Sequence, residues 1–385
     1  MNIFLKLFFI IFFFQNLEAG VIIHDFKKYP KIKTNFKLQE LIKGLNYPWG
    51  MTFIDKENLI ITEKNGGLVK INIISKKITK IKHTIKSVPF TGNDQGGFLD
   101  VLYNDGYLYF SYSHKFEEIN KKKFSSTAIA RGKLVDNEIK DLEILLKDQP
   151  KLTRNIHWGS RIVIEKNHLY ASFGERGMGM IAQDPSKLPG SIIRINIDGS
   201  IPKDNPARVN KPKWLPEIYL IGVRNPQGMA ISPKNKKVYF SQHGPRGGDN
   251  IGVVKKGGNY GWKNIAWGGT EYYGGKIGTK SFSKEYDLPI ISWVPSIGVG
   301  QINFYSGETF SEWNENLIVS AAKYGLLLRL VLKDKKVINQ EIILNQEIGR
   351  IRDFEVSHNG DIYIITDDEN SSLWKLSKWS FKEKI

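Results

Sequence analysis

The stretch SQHGPRGGDN (Ser241–Asn250) sets a histidine, an arginine and an aspartate among three glycines and a proline. It matches neither GxxxxGK[ST] nor GxGxxG, and it runs on toward GGNYGW instead of opening a helix. A phosphate cradle is therefore a poor reading, and taken alone the segment reads as a glycine-lined hairpin turn. Two other places carry chemistry. His157 stands in HWGSR, and an imidazole titrates near neutrality, so its neutral form can take a proton from a hydroxyl. Arg350 and Arg352 lie two apart in RIRD at the start of a strand-like run. At that spacing they point the same way and can fork onto carboxylates.

The elements that would position these residues emerge as repeats. A phrase of β-formers ending in a small or polar residue occurs six times: NLIITE, YLYFSY, HLYASF, KVYFSQ, NLIVSA and DIYIITD. Its equivalent positions are Leu59, Leu108, Leu169, Val238, Leu317 and Ile362, between 45 and 79 residues apart. Ahead of each lies a second phrase, polar residues and glycine leading into an apolar strand: PWGMTFI, QGGFLDVLY, HWGSRIVIE, NPQGMAISP, PSIGVGQINFY and RIRDFEVSH. No stretch shows a sustained 3.6-residue apolar period, which weakens an α/β alternative. The pattern predicts an all-β fold, a six-bladed β-propeller with four-stranded antiparallel blades. Asn35–Leu45 reads either as a short helix or as the outer strand that closes the ring. The uneven spacing reads as insertions within a single domain, residues 20–385.

In a propeller the first strand of each blade lines the central channel, so residues leading into those strands crowd at one mouth. Here they are Trp49, Gln95, His157, Arg224, Asn225, Gln227, Ser296, Arg350 and Arg352. Like charges brought together cost free energy unless an anion or water neutralises them. A hydrated, water-filled mouth is the plainer alternative to a bound anion.

Composition narrows the setting. Residues 1–19 have the layout of a secretory signal: a lysine, an eight-residue apolar run (Leu7–Phe14) and a small-residue exit at Ala19–Gly20. The run falls well short of the roughly 20 apolar residues of a membrane span, although an uncleaved interfacial anchor is the alternative. The expectation is a periplasmic or secreted protein with no transmembrane segment, as a monomer or homodimer. The absence of cysteine excludes disulfides, zinc–thiolate sites, iron–sulfur clusters and CxxCH haem. Lysine and arginine number 56 against 39 acidic residues, a net charge of +17. The lysines are scattered and no nucleic-acid-reading motif occurs, so no nucleic-acid partner is expected.

With these segments in view, the chain resembles the soluble pyrroloquinoline-quinone (PQQ) dehydrogenases of aldose sugars, the glucose/sorbosone dehydrogenase family. The likeness runs from Leu45–Phe53 (LNYPWGMTF) to Arg350–Asp368, and its segments QGGFLDV, HWGSRIV, RNPQGMA, HGPRGGDN, GGNYGW, WVPSI and RIRD keep the family's order. The resemblance implies PQQ and Ca²⁺ as cofactors, an aldose sugar as substrate and an external quinone or cytochrome as electron acceptor. It implies that Gly244 and Pro245 offer main-chain oxygens to calcium, a hard cation that takes carbonyls, with His243 flanking the cofactor. His157 aligns with the general base, and Glu175 stands where the family usually has an aspartate that orients it. Arg224, Asn225, Lys323, Arg350 and Arg352 match contacts to the cofactor, and Gln95 and Trp293 match positions lining the cofactor and sugar pocket. A second, structural calcium site would draw on Asp249 and the carbonyl of Tyr260, weakened because the neighbour of Asp249 is Asn250 rather than an acid. Ile156, ahead of the base, resembles the broader aldose dehydrogenases rather than the strict glucose enzymes.

Two other readings stay open. One is a calcium-dependent propeller lactonase, although guanidinium groups at the mouth oppose a bare metal. The other is a non-catalytic binding propeller, which has no need of His157 together with Lys323, Arg350 and Arg352. Fold alone does not separate the three.

Overall fold

The repeated phrase is a hydrophobic strand with one hydroxyl near its end, and both features have work in the folded chain. Leu59, Leu108, Leu169, Leu317 and Ile362 are completely buried between sheets. Burying one such side chain contributes about 1.5–3 kcal/mol. The hydroxyls of Thr62, Ser111 and Ser241, also fully buried, donate across the blade boundary to carbonyls of Leu99, Ser160 and Gly300. Each latches one blade to the inner strand of the next.

The computed structural model describes residues 23–379 except 93 and 335. The expected signal segment, residues 1–19, lies outside the described residues. The described chain forms six mainly antiparallel sheets around an axis, with a separate two-stranded hairpin pairing Glu117–Ile119 with Lys122–Phe124. Their inner strands are Pro48–Phe53, Phe98–Asn104, Gly159–Glu165, Pro226–Ile231, Val299–Phe304 and Ile351–Val356. Each packs against the next, and the sixth packs on the first. Helix is confined to the turn Pro206–Val209 and three 3₁₀ turns among the described residues.

Asn35–Leu45 resolves to a strand. Phe36–Leu45 pairs antiparallel with Ser371–Lys378, so the amino-terminal segment supplies the outer strand of the sixth blade and closes the ring. Phe36, Leu38 and Leu41 pack on the core that joins blades six and one, a cohesion no isolated helix in this segment would gain. Two blades exceed the four strands expected. Gly258–Asn259 adds in parallel to Ile218–Ile221 of the third blade, and Ile23–His24 adds in parallel to Ile291–Trp293 of the fourth.

One irregularity recurs in every blade and prepares the site. Where the inner strand leaves the mouth its pairing slips, between Pro48 and Met51, Phe98 and Val101, Gly159 and Ile162, Pro226 and Gly228, Val299 and Ile302, and Ile351 and Asp353. A bulge bends a strand and re-aims its side chains. Below the bulges, Arg161 plugs the axis. Its guanidinium donates to Asp100 at 2.8 Å and to Asp353 at 3.1 Å, and lies over the Trp49 ring at 4.5 Å.

Candidate active site

At the mouth, a cavity of about 360 Å³ is bounded by Gln95, Asn225, His243, Arg350 and Arg352. His157 adjoins it: its backbone N–H donates to Gln95 Oε1 at 2.8 Å, and its neighbours Trp158 and Gly159 are part of the cavity wall. The His157 backbone lies in the left-handed region, with φ 51°, a conformation that persists in a non-glycine residue only when its surroundings hold it. Arg176 supplies much of that hold. Fully buried, it stacks on Trp158 with 3.3 Å between guanidinium carbon and ring centroid, and donates to the carbonyls of Ile156 and Arg154. Gly174 permits the close approach behind His157: a Cβ there would fall 1.9 Å from the His157 carbonyl oxygen.

The imidazole has a defined tautomer. Nδ1–H donates to Glu175 Oε1 at 2.5 Å, leaving Nε2 as the nitrogen with a lone pair. Glu175 is itself anchored, since its Oε2 accepts from Gly179 N–H at 2.5 Å. Burial lowers the His157 pKa below its ordinary value, and the Glu175 carboxylate only partly opposes this. Burial pushes Glu175 upward, but the hydrogen bond and charge of His157 bring it below the usual carboxylate value. The pair therefore presents a neutral, oriented imidazole near pH 7.

His243 is a second neutral imidazole on the wall. Its Nε2–H donates to the Val299 carbonyl at 2.8 Å, and burial pushes its pKa down to about 4. Arg224 donates to the carbonyls of Gly244 at 3.2 Å and His243 at 3.4 Å, while its own carbonyl accepts from Glu175 N–H. Asn225 Oδ1 accepts from Gly159 N–H at 3.0 Å and from Gln227 Nε2 at 3.2 Å, tying the third blade to the fourth. The glycines of HGPRGGDN serve backbone packing, because a Cβ on Gly244 would lie 2.2 Å from the Gly247 carbonyl oxygen.

The sixth blade carries the charge. Arg352 pairs with Asp367, Arg350 reaches the same carboxylate at 3.5 Å, and Lys64 reaches it at 3.0 Å from the first blade. Burial opposes the ionised form of Asp367, but Arg352 and Lys64 hold its pKa far below the usual carboxylate range. Three cations around one carboxylate leave two positive charges in excess. Nε of Arg352 is buried without a hydrogen-bond partner, and a buried charged donor left unmatched is costly. The donor set therefore fits a planar polycarboxylate.

Several expected site residues are not among those bounding the cavity. Trp293 does not face the cavity: it is fully buried, and its indole N–H donates to the Tyr29 hydroxyl at 2.9 Å. Lys323 is exposed, its ammonium 5.0 Å from the Tyr324 ring centroid, and it is not among the residues bounding the cavity. Asp249 is spent within the protein, accepting from the N–H groups of Gly244, Gly298 and Val299. The Tyr260 carbonyl accepts from the Trp267 indole at 3.0 Å, and Asn250 bonds Gln242 and Gly248. The oxygens expected at a second calcium site thus already accept hydrogen bonds within the protein, from backbone N–H groups at Asp249 and from an indole at Tyr260. Among the described residues, no group of three or more His, Asp or Glu is arranged to hold a metal.

Lys64 and Asp367 were missed by reading only the starts of inner strands. The signal was present in the other repeated phrase: Lys64 follows NLIITE and Asp367 follows DIYIIT, the same position that His243 holds after KVYFSQ. These turns join second and third strands on the mouth side, and they form a second ring of candidates around the axis.

The fold and this cavity define a six-bladed propeller with a cation-lined axial cavity and an adjoining imidazole fixed by a carboxylate. The chain belongs to the glucose/sorbosone dehydrogenase family, whose profile matches residues 45–375. It is 32% identical over 344 residues to the aldose sugar dehydrogenase YliI of Escherichia coli, covering 86% of this chain and 90% of that one. It is 30% identical over 264 residues to quinoprotein glucose dehydrogenase B of Acinetobacter calcoaceticus, covering 60% of this chain and 53% of that one. The crystal structure of the soluble E. coli aldose sugar dehydrogenase in its apo-form superposes with a TM-score of 0.83 at 30% identity, covering 90% of this chain and 100% of that one. The PQQ-bound aldose sugar dehydrogenase of Streptomyces coelicolor shares the fold, with a TM-score of 0.71 at 20% identity over 90% of this chain and 99% of that one.

Proposed function

We propose that this protein oxidises the anomeric hydroxyl of aldose sugars to the lactone, using PQQ and Ca²⁺ and passing electrons to an external quinone or cytochrome. The observation that carries this reading is the oriented base His157 beside a cavity with two uncompensated positive charges. Arg352 and Arg350 would hold carboxylates of the cofactor, with Asn225, Gln95 and His243 along its faces. The carbonyls of Gly244 and Pro245 would hold calcium. Because Arg224 already donates to the Gly244 carbonyl, a dication is tolerable there only together with the anion.

Within the chain's own part of the reaction, Nε2 of His157 takes the proton of the anomeric hydroxyl. Glu175 fixes the ring and stabilises the imidazolium that forms, as expected of a carboxylate bonded to the other ring nitrogen. When bound, the cofactor would supply a quinone as hydride acceptor and calcium would supply a Lewis acid, chemistry that belongs to neither His157 nor Glu175. The signal-like pattern of residues 1–19 supports a periplasmic or secreted setting.

The test is direct. Purified protein is supplied with PQQ and Ca²⁺, and aldose-dependent reduction of an artificial dye is followed. Activity is expected in the wild type and near-complete loss in His157→Ala. Dye reduction that survives this substitution would overturn the mechanism, and lactone hydrolysis without dye reduction would replace it with the hydrolase reading.

A further inference from the structure

Lys64 is a lysine that the protein has taken out of water without neutralising its neighbourhood. Its side chain is 7% exposed, and its ammonium lies 4.2 Å from the Phe90 ring centroid and 5.3 Å from that of Tyr47. Two aromatic faces and one carboxylate confine the group, and it borders the mouth cavity together with Arg352. A lysine held only to neutralise Asp367 would be redundant, since Arg352 and Arg350 already reach that carboxylate. An ammonium has three donors, and the Asp367 contact is an ion pair at 3.0 Å that leaves Asp367 Oδ1 without a hydrogen bond. By contrast Lys323, the lysine expected to meet the cofactor, is exposed and outside the cavity wall.

We infer that Lys64, presented by the first blade, is a direct contact for a carboxylate of the bound anion, with Asp367 as the tether that aims both it and Arg352. This rests on the cofactor reading above and extends it to a residue of a different blade. The anion is then gripped from two adjacent blades, Lys64 on the first and Arg350 and Arg352 on the sixth. Aromatic faces beside the ammonium strengthen it as a ligand group, because they favour the cation without supplying a competing anion.

The experiment measures equilibrium binding of PQQ to the apo-protein at fixed Ca²⁺ by quenching of tryptophan fluorescence, with thermal unfolding followed in parallel. Lys64→Met should weaken binding by about tenfold or more, the scale of a lost charge-assisted hydrogen bond. Lys64→Arg should stay within about threefold of the wild type. A double-mutant cycle then separates contact from mere support of Asp367. In an Asp367→Asn background, with the tether weakened, Lys64→Met should still cost about threefold or more, and that background leaves no unpaired carboxylate if the single variant folds poorly. Unchanged affinity in Lys64→Met, or a loss that vanishes in the Asp367→Asn background, overturns the inference while the cofactor reading stands. A folded wild type that does not bind PQQ overturns both.

Discussion

Two charged clusters share the propeller axis, and they are near inversions of each other. At the waist one cation, Arg161, faces two carboxylates, Asp100 and Asp353. At the mouth one carboxylate, Asp367, faces three cations, Lys64, Arg350 and Arg352. The waist is closed upon itself. Asp100 and Asp353 also accept from the N–H groups of Ile162, Met51 and Phe354, and Arg161 Nε donates to the Gln227 carbonyl. Burial pushes the waist carboxyls up, Asp100 to about 7, and Glu355 beside them rises well above its ordinary value. At the mouth the carboxyl is held down and a guanidinium nitrogen is left bare. Internal satisfaction marks a structural cluster; unsatisfied excess charge marks a cluster built for a ligand.

If that contrast is right, a mouth substitution should cost mainly function, and a waist substitution mainly stability. The largest effect is expected from His157→Ala: kcat/KM for dye reduction should fall by about 10²–10⁴, with the unfolding free energy lowered by about 1–3 kcal/mol because Glu175 loses its partner. A loss of stability as large as that expected at the waist would erase the distinction. Next comes Arg161→Ala, which leaves two buried carboxylates unpaired. Breaking a buried pair in this way costs about 3–5 kcal/mol, to be read from denaturant unfolding of the apo-protein.

The cations themselves should form a ladder in PQQ affinity. Arg352→Ala, at a side chain only 13% exposed, should weaken binding by about ten- to a hundredfold. Arg350→Ala, with 56% exposure, should cost only a few-fold. Exposed Lys323 should cost less than about threefold, the scale of a solvent-screened charge. An inverted ladder would mean that exposure is a poor guide to which cations grip the anion. The subtlest change sharpens the role of Glu175. A base must be neutral to act, so kcat/KM should fall as pH drops through the lowered pKa of His157. Glu175→Gln removes the group that raises that pKa, so the acidic limb of the profile should move to still lower pH. A limb that stays in place would show that Glu175 does not act through the imidazole.

Much of this was legible along the chain, and the reasons are local. Strand identity follows from short continuous runs of β-formers such as those of NLIITE and DIYIITD, and the blade count follows from their recurrence. His157, Gln95, Asn225, Arg350 and Arg352 all lie within three residues of the start of an inner strand, so repeat register brings them to one mouth. Lys64 and Asp367 obey the same logic one strand later, in turns whose residues vary in type and so show no common motif. Trp293 was misleading for a physical reason: a tryptophan near a pocket segment is as useful to a core as to a ligand, and only packing against Tyr29 decides between them.

By itself, then, the sequence determined the ring: six copies of a hydroxyl-tipped strand, three of which latch by that hydroxyl onto the next blade, admit few arrangements besides a closed propeller. Tertiary structure alone decided which charges remain unanswered. Whether a buried arginine is neutralised depends on groups far apart in the chain, such as Lys64 on the first blade and Asp367 on the sixth, and electrostatic balance is a property of distances in space that no run of residues encodes.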